Sequence, residues 1–248
     1  MHQKIVVAEN TEAAERQAVD LISERARVAI TARGRFTLAL SGGSSVRSVY
    51  ARLAAEPGID WTKVFLFLVD ERFVEPTNPY SNFALVKESL IDRLPSLPAS
   101  NVFSVPTDAP TPDEGARQYE AAIRRFFALE EGEWPRFDLC INGMGPDGHT
   151  ASLFPHSPAL SVIDRIAVMN HAGLSPWVDR VTLTFPALNH ARCVLFLAGG
   201  AKKAEMLKAI LEGERDVSRR PSQGVQPTDG ELIWLLEPEI ASLLATRP

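Results

Sequence analysis

Short apolar runs alternate with amphipathic stretches along almost the whole chain. Ile5 to Ala8 reads as a first strand. Residues 11–33 follow as a helix, with Ala14, Ala18, Leu21, Ile22 and Ala29 on one face, and Gly34 stops it. Phe36 to Leu40 is a strand pattern that runs into Ser41-Gly42-Gly43-Ser44-Ser45. Val46, Val49, Tyr50 and Leu53 then recur at the i, i+3, i+4, i+7 spacing of a short helix. The runs at 64–69, 102–105, 137–141, 166–169, 181–184, 193–197 and 232–236 predict further strands. Residues 82–91 and 238–245 predict helices, as does the segment carrying Ala204, Leu207, Ile210 and Leu211. Thr111-Pro112-Asp113-Glu114 has the form of a capping box with proline at the first helical position, so a helix should start there and run to about Leu129.

Strands alternating with helices predict an α/β fold with a mostly parallel open sheet and helices on both faces. No repeat, low-complexity segment or linker interrupts the pattern. The proline-rich patches at 95–98 and 106–112 read as surface loops, so residues 1–248 are expected to form a single domain.

Composition narrows the function classes. With 45% hydrophobic and 23% charged residues the chain is of ordinary globular type. A net charge of −5 argues against a nucleic-acid surface but leaves room for a small basic pocket. Cys140 and Cys193 each sit inside an apolar run and read as buried thiols; no C-x-x-C occurs. Nothing approaches the length of a membrane span, and the N-terminus lacks a signal-peptide apolar region. A cytoplasmic enzyme or binding protein is the expectation, and no feature of the sequence sets an oligomeric state.

In open α/β sheets ligands sit beyond the carboxyl ends of the strands. Four segments fall there: Ser41 to Ser45, Asp70 to Arg72, Gly143 to His149, and Gly199 to Lys203. Ser41-Gly42-Gly43-Ser44-Ser45 suits a phosphate at a helix N-terminus, and equally a plain turn with a serine cap. Arg72 could clamp a phosphate with two hydrogen bonds, or lie in a solvated charge cluster. Lys202 and Lys203 offer ammonium groups at a strand-to-helix turn, or are simply exposed.

Residues 143–148, G-M-G-P-D-G, match G-x-G-x-x-G literally. A dinucleotide fingerprint should follow an early strand and open a helix, with an acidic residue ending a second strand about 20 positions on. Here the match comes late, and Asp164 precedes its candidate strand, so a catalytic loop fits better. His149 follows a flexible Gly-Pro-Asp-Gly turn that can present it at a pocket, and Asp147 can fix its tautomer. No G-x-S-x-G elbow, catalytic cysteine or zinc-ligand spacing is visible, so a histidine that activates water is the simplest chemistry, with no metal and no cofactor.

Five blocks carry a resemblance: LALSGGSS, FLVDERFVEPTNPYSNF, NGMGPDGHTASLFP, RVTLTFPALNHA and LAGGAKKAEML. Together they span nearly the whole chain, which resembles the 6-phosphogluconolactonase family of the pentose phosphate pathway. The related glucosamine-6-phosphate deaminases share a Gly-Asp-Gly-His turn but continue toward Asn-Glu-Pro, where this chain has Ser152-Leu153-Phe154-Pro155. The tail fits less closely: Ser222 stands where such enzymes often have alanine, and Glu237-Pro238 where an aspartate-led helix start is expected. The resemblance implies a sheet like that of sugar-phosphate isomerases and deaminases. It also implies hydrolysis of 6-phospho-D-glucono-1,5-lactone to 6-phosphogluconate.

On that reading His149 is the general base and Asp147 orients it. Backbone N–H groups of Gly143, Gly145 and Gly148 are expected to receive the oxyanion. Ser41, Gly42, Gly43, Ser44, Arg72 and Lys203 would hold the phosphate, with Asp70 and Arg180 as further contacts; Lys203 fits the family's Gly-x-x-Lys-Ala spacing better than Lys202. Two alternatives stay open. One is an isomerase or deaminase of the same fold, with Asp70 as enolisation base. The other is a non-catalytic sugar-phosphate sensor, although this chain has no room for the DNA-binding domain that such sensors carry.

Overall fold

A computed structural model describes residues 2–245, apart from the side chains of His2 and Ser44. Its frame is a seven-stranded sheet in which every pairing is parallel. The strands are β1 (His2–Val7), β2 (Phe36–Leu40), β3 (Val64–Leu68), β5 (Val102–Phe103), β6 (Leu139–Asn142), β9 (Cys193–Ala198) and β10 (Glu231–Leu236). They lie in the order β1-β10-β9-β6-β2-β3-β5. Every residue of β2, β6 and β9 is buried, which is why these strands read as unbroken apolar runs rather than alternating ones.

The helices begin and end where local chemistry dictates. In α1 (Thr11–Arg33) the Asn10 side chain accepts from the Ala13 N–H at 2.8 Å, and Gly34 closes the last turn in the left-handed conformation, φ 72°. In α4 (Pro112–Phe127) Thr111 Oγ1 accepts from the Glu114 N–H, with Pro112 at the first helical position. α2 (Ser44–Ala55), α3 (Asn82–Ser89) and α6 (Ala204–Leu211) follow β2, β3 and β9 in the chain.

Three features differ from the sequence reading. β4 (Asp70–Arg72), expected as a loop, pairs antiparallel with β8 (Arg180–Leu183), which pairs antiparallel with β7 (Ala167–Asn170). These three strands form a second sheet, so the runs at 166–169 and 181–184 do not extend the main one. Apolar periodicity marks a strand but says nothing of its partner, and a three-residue charged strand has no periodicity to detect. The expected last helix is only a 3-10 turn, Ile240–Leu243, and a short helix α5 (Phe185–Asn189) intervenes unforeseen after β8.

The topology places the four candidate loops together. Ser41–Ser45, Asp70–Arg72, Gly143–His149 and Gly199–Lys203 follow β2, β3, β6 and β9, four consecutive strands of the main sheet. Parallel strands put all four connections at one edge.

Candidate active site

The 143–149 loop is a self-supporting turn. Asn142 is fully buried and donates from Nδ2 to Thr150 Oγ1 at 2.9 Å, and Thr150 Oγ1 donates to Gly143 O at 2.9 Å, which closes the loop at its base. Within it the Gly148 N–H donates to Gly145 O at 3.1 Å and the Gly145 N–H to His149 O at 2.8 Å. Gly148 has φ 85°, a conformation that favours glycine. The N–H groups of Gly145 and Gly148, expected to face an oxyanion, here donate to carbonyls of the turn itself. Gly143 and Gly145 still line the cleft.

His149 is held on three sides. Its Nδ1 lies 2.5 Å from Asp147 Oδ1, and the same oxygen accepts from the His149 N–H at 3.2 Å. The Phe154 ring centroid is 5.0 Å from that of the imidazole. A Cβ on Gly145 would lie 2.0 Å from His149 Cε1 and Nδ1, so the ring rests on the bare glycine backbone. With Nδ1 opposite a carboxylate, Nδ1 carries the proton and Nε2 is the basic nitrogen. Burial pushes the Asp147 carboxyl upward, but its hydrogen bond to His149 and that residue's charge outweigh this, and the net shift is downward. Asp147 is thus kept as the carboxylate that the imidazole needs.

The cationic side of the cleft is built from several elements. Gly43 enters α2 at φ 109° with no side-chain cap, and the Ser44 side chain lies outside the described residues. Ser41 Oγ is buried, lines the cleft and has no hydrogen-bond partner among the described residues. Gly42 is glycine because Asn82 sits on it: a Cβ there would be 1.8 Å from Asn82 Oδ1. Lys203 Nζ donates to Met144 O at 2.9 Å, while Lys202 is exposed, so the structure brings Lys203 to the cleft and leaves Lys202 outside. Burial lowers the Lys203 pKa, and the charge of Glu237 opposes that shift. Arg72 lines the cleft and donates from Nη1 to Tyr80 O at 2.7 Å. Arg180 lies directly across from it on β8, is only 3% exposed, and donates from Nη2 to Pro176 O at 2.9 Å.

Asp70 and Glu71 divide their work. Glu71 is buried and accepts from the N–H groups of Asn82 and Phe83, both at 2.7 Å, and from Ser81 Oγ at 3.0 Å. It thereby caps α3, and burial raises its pKa. Asp70 lines the cleft and accepts from Ser152 Oγ at 2.6 Å and Asn82 Nδ2 at 3.3 Å, which ties the strand carrying Arg72 to the segment after His149. Asn82, Ser152 and Leu174 belong to this neighbourhood and carry no site role in the sequence reading; Ser45 lines it from within the turn already named. For Asn82 and Ser152 the available signal was membership of the FLVDERFVEPTNPYSNF and NGMGPDGHTASLFP blocks.

Together these residues enclose a cleft of about 230 Å³ with His149 on one wall and Arg72 and Lys203 on others. A wider cleft of about 450 Å³ adjoins it across Ser45, Leu197 and Lys203. Among the described residues no group of three or more His, Cys, Asp or Glu could hold a metal ion. The arrangement suits attack on an electrophilic carbon by a base-activated water, in a molecule anchored by a remote anion.

Comparison with known proteins agrees in family and fold. The family described as Glucosamine-6-phosphate isomerases/6-phosphogluconolactonase matches residues 9–234. A 6-phosphogluconolactonase of Synechocystis sp. is 40% identical over 221 residues, covering 89% of this chain and 90% of that protein. The human 6-phosphogluconolactonase is 39% identical over 233 residues, covering 92% and 88%. The solved structure of 6-phosphogluconolactonase from Trypanosoma cruzi superposes with a TM-score of 0.87 at 27% identity, covering 99% of both chains.

Proposed function

We infer that this chain, which belongs to the glucosamine-6-phosphate isomerase/6-phosphogluconolactonase family, hydrolyses 6-phospho-D-glucono-1,5-lactone to 6-phospho-D-gluconate in the pentose phosphate pathway. The observation that carries a mechanism is the His149–Asp147 pair, seated on Gly145 and facing a cleft that Arg72 and Lys203 also line.

A water lies against C1 of the lactone, and Nε2 of His149 takes one of its protons as the oxygen bonds to C1. The carbonyl electron pair moves onto the carbonyl oxygen. As that oxyanion collapses, the bond from C1 to the ring oxygen breaks, and Nε2–H returns its proton to the departing oxygen. The products are a hydroxyl at C5 and a carboxylic acid, which ionises in water. Asp147 holds Nδ1–H throughout and stabilises the imidazolium that forms between the two transfers. At the far end the phosphate is held by the Ser41–Gly43 turn, the N-terminus of α2, Arg72, Arg180 and Lys203.

Among the described residues no helix is long and apolar enough to cross a membrane. Cys140 and Cys193 are buried free thiols. Unpaired cysteines suit a reducing compartment, and the cytoplasm is the location we propose. The test is turnover of freshly made 6-phosphogluconolactone, corrected for spontaneous hydrolysis, beside an ammonia assay with glucosamine 6-phosphate. Lactone turnover without ammonia release is expected; ammonia release without lactone turnover would overturn the assignment.

A further inference from the structure

Against the catalytic turn, and lining no part of the cleft, lies the segment Pro221–Gly224, a single 3-10 turn. Its Ser222 is 1% exposed. The Ser222 N–H donates to Gly148 O at 2.9 Å. The hydroxyl lies 2.9 Å from Gly148 O and 3.2 Å from His149 O, so its proton is shared between the two carbonyls. His149 O also receives the Gly145 N–H from within the turn. The backbone of His149 is therefore gripped from both sides while its ring is gripped by Asp147. Contact is close all along this seam: a Cβ on Gly148 would lie 3.3 Å from Arg220 Cα and 3.0 Å from Met206 Sδ.

A grip is only as firm as its mounting, and Gln223 supplies one. Its Nε2 donates to Ile210 O at 3.1 Å, Ala209 O at 3.3 Å and Glu214 O at 3.2 Å. Its Oε1 accepts from the Asp216 N–H at 2.7 Å. Ala209 and Ile210 lie in the last turn of α6, whose carbonyls have no partners inside the helix. One side-chain amide thus caps α6 and fixes the 221–224 turn to it. The helix that begins beside Lys203 ends at the support of His149.

We propose that Ser222 is a positioning residue for His149, mounted on α6 through Gln223. The proposal rests on the reading of His149 as the general base. Ser222 is not among the residues that line the cleft. It sets the height and tilt of the peptide from which the imidazole projects, and a base displaced by a fraction of an ångström transfers protons less well.

The experiment compares wild type with Ser222→Ala and Ser222→Thr. For Ser222→Ala, kcat should fall by roughly an order of magnitude. KM should stay within about twofold, because nothing on the phosphate side has moved. Ser222→Thr keeps the hydroxyl and should restore kcat even if its extra methyl lowers Tm. A purely structural serine would show the reverse: lower Tm and unchanged kcat in Ser222→Ala, or kcat tracking Tm in both variants. Either result overturns the proposal. A second readout does not depend on turnover. The proton NMR resonance of the His149 Nδ1–H bonded to Asp147, assigned by its loss in His149→Ala, should shift or broaden in Ser222→Ala and return in Ser222→Thr. An unchanged resonance in Ser222→Ala also refutes the positioning role. If wild type fails to hydrolyse the lactone, the functional reading falls, while this resonance still decides the coupling.

Discussion

Arg72 and Arg180 face each other as direct partners across the antiparallel pairing of β4 and β8. Like charges placed opposite each other on a sheet are destabilising, and both guanidinium groups have a buried Nε with no hydrogen-bond partner among the described residues. Burial lowers the Arg180 pKa, and the charge of Arg72 lowers it further. Each arginine spends one terminal nitrogen on a loop carbonyl, Tyr80 O and Pro176 O, which aims the rest of the fork. A dianion between them would relieve the repulsion and satisfy the free donors, as the phosphate of the substrate can.

Arg72→Ala should raise KM for the phosphorylated lactone about 10- to 100-fold, the loss of a charge-assisted contact of ~1.5–3 kcal/mol. Arg180→Lys keeps the charge but loses the fork, and should raise KM in the same direction. Neutral gluconolactone is the control, since it lacks the group these side chains are proposed to bind. Both variants should match wild type on it. An equal loss on the two substrates would remove the arginines from phosphate binding.

Much of this site could be read from the chain because turns have their own chemistry. The glycines at 42, 43, 145 and 148 are demanded by close approach or positive φ, and each stands beside residues that line the cleft. The parallel order could be read because buried strands are apolar throughout. What escaped depends on contacts distant in sequence. Nothing local distinguishes Glu71, a helix cap, from Asp70, a cleft wall. Ser222 meets Gly148 from 74 positions away. The hydrogen bonds of the catalytic turn escaped for a different reason: a glycine-rich turn can be recognised from sequence, but the carbonyl that each N–H meets cannot.

His149→Ala should lower kcat by about 10²–10⁴-fold, the usual share of a general base, with little change in KM. Asp147→Asn should cost less, since it leaves Nε2 in place and disturbs only tautomer and orientation. The double variant should fall short of the summed free-energy losses, because the 2.5 Å contact makes the two residues one unit. Strict additivity in a double-mutant cycle would show that they act independently.

Gly145→Ala offers a test of the seat beneath the imidazole. The added methyl would sit 2.0 Å from the ring and 2.8 Å from Asp147 Oδ1, so the ring must swing away from its carboxylate. The kcat loss should be at least that of Asp147→Asn, with KM changed much less. Near-normal kcat in a folded Gly145→Ala protein would mean that the ring position in the structure is not the catalytic one.

Lys203 gives a pH signature. An ordinary lysine has a pKa of 10.5, and burial lowers that of Lys203. The sign follows directly. In the free protein the ammonium form is lost at a lower pH than for an exposed lysine, so a site that needs this charge weakens before pH 10.5 is reached. A bound phosphate favours the charged form and raises the pKa again, so binding near the free-state pKa takes up a proton from solution. For folding, the buried ammonium costs stability at neutral pH, and this cost fades as pH rises from the lowered value toward 10.5. The ligand itself adds little titration there, since the second pKa of a phosphate monoester lies near ~6. Calorimetric titration with 6-phosphogluconate, from about pH 7 to about pH 10, isolates the effect, because the product does not hydrolyse during the measurement. Affinity should fall toward the alkaline end of that range, with proton uptake seen as a dependence of the heat on buffer ionisation enthalpy. Lys203→Arg should bind with a nearly flat profile, because guanidinium stays charged throughout. A flat wild-type profile, or the same decline in Lys203→Arg, would show that the ammonium of Lys203 does not hold the phosphate.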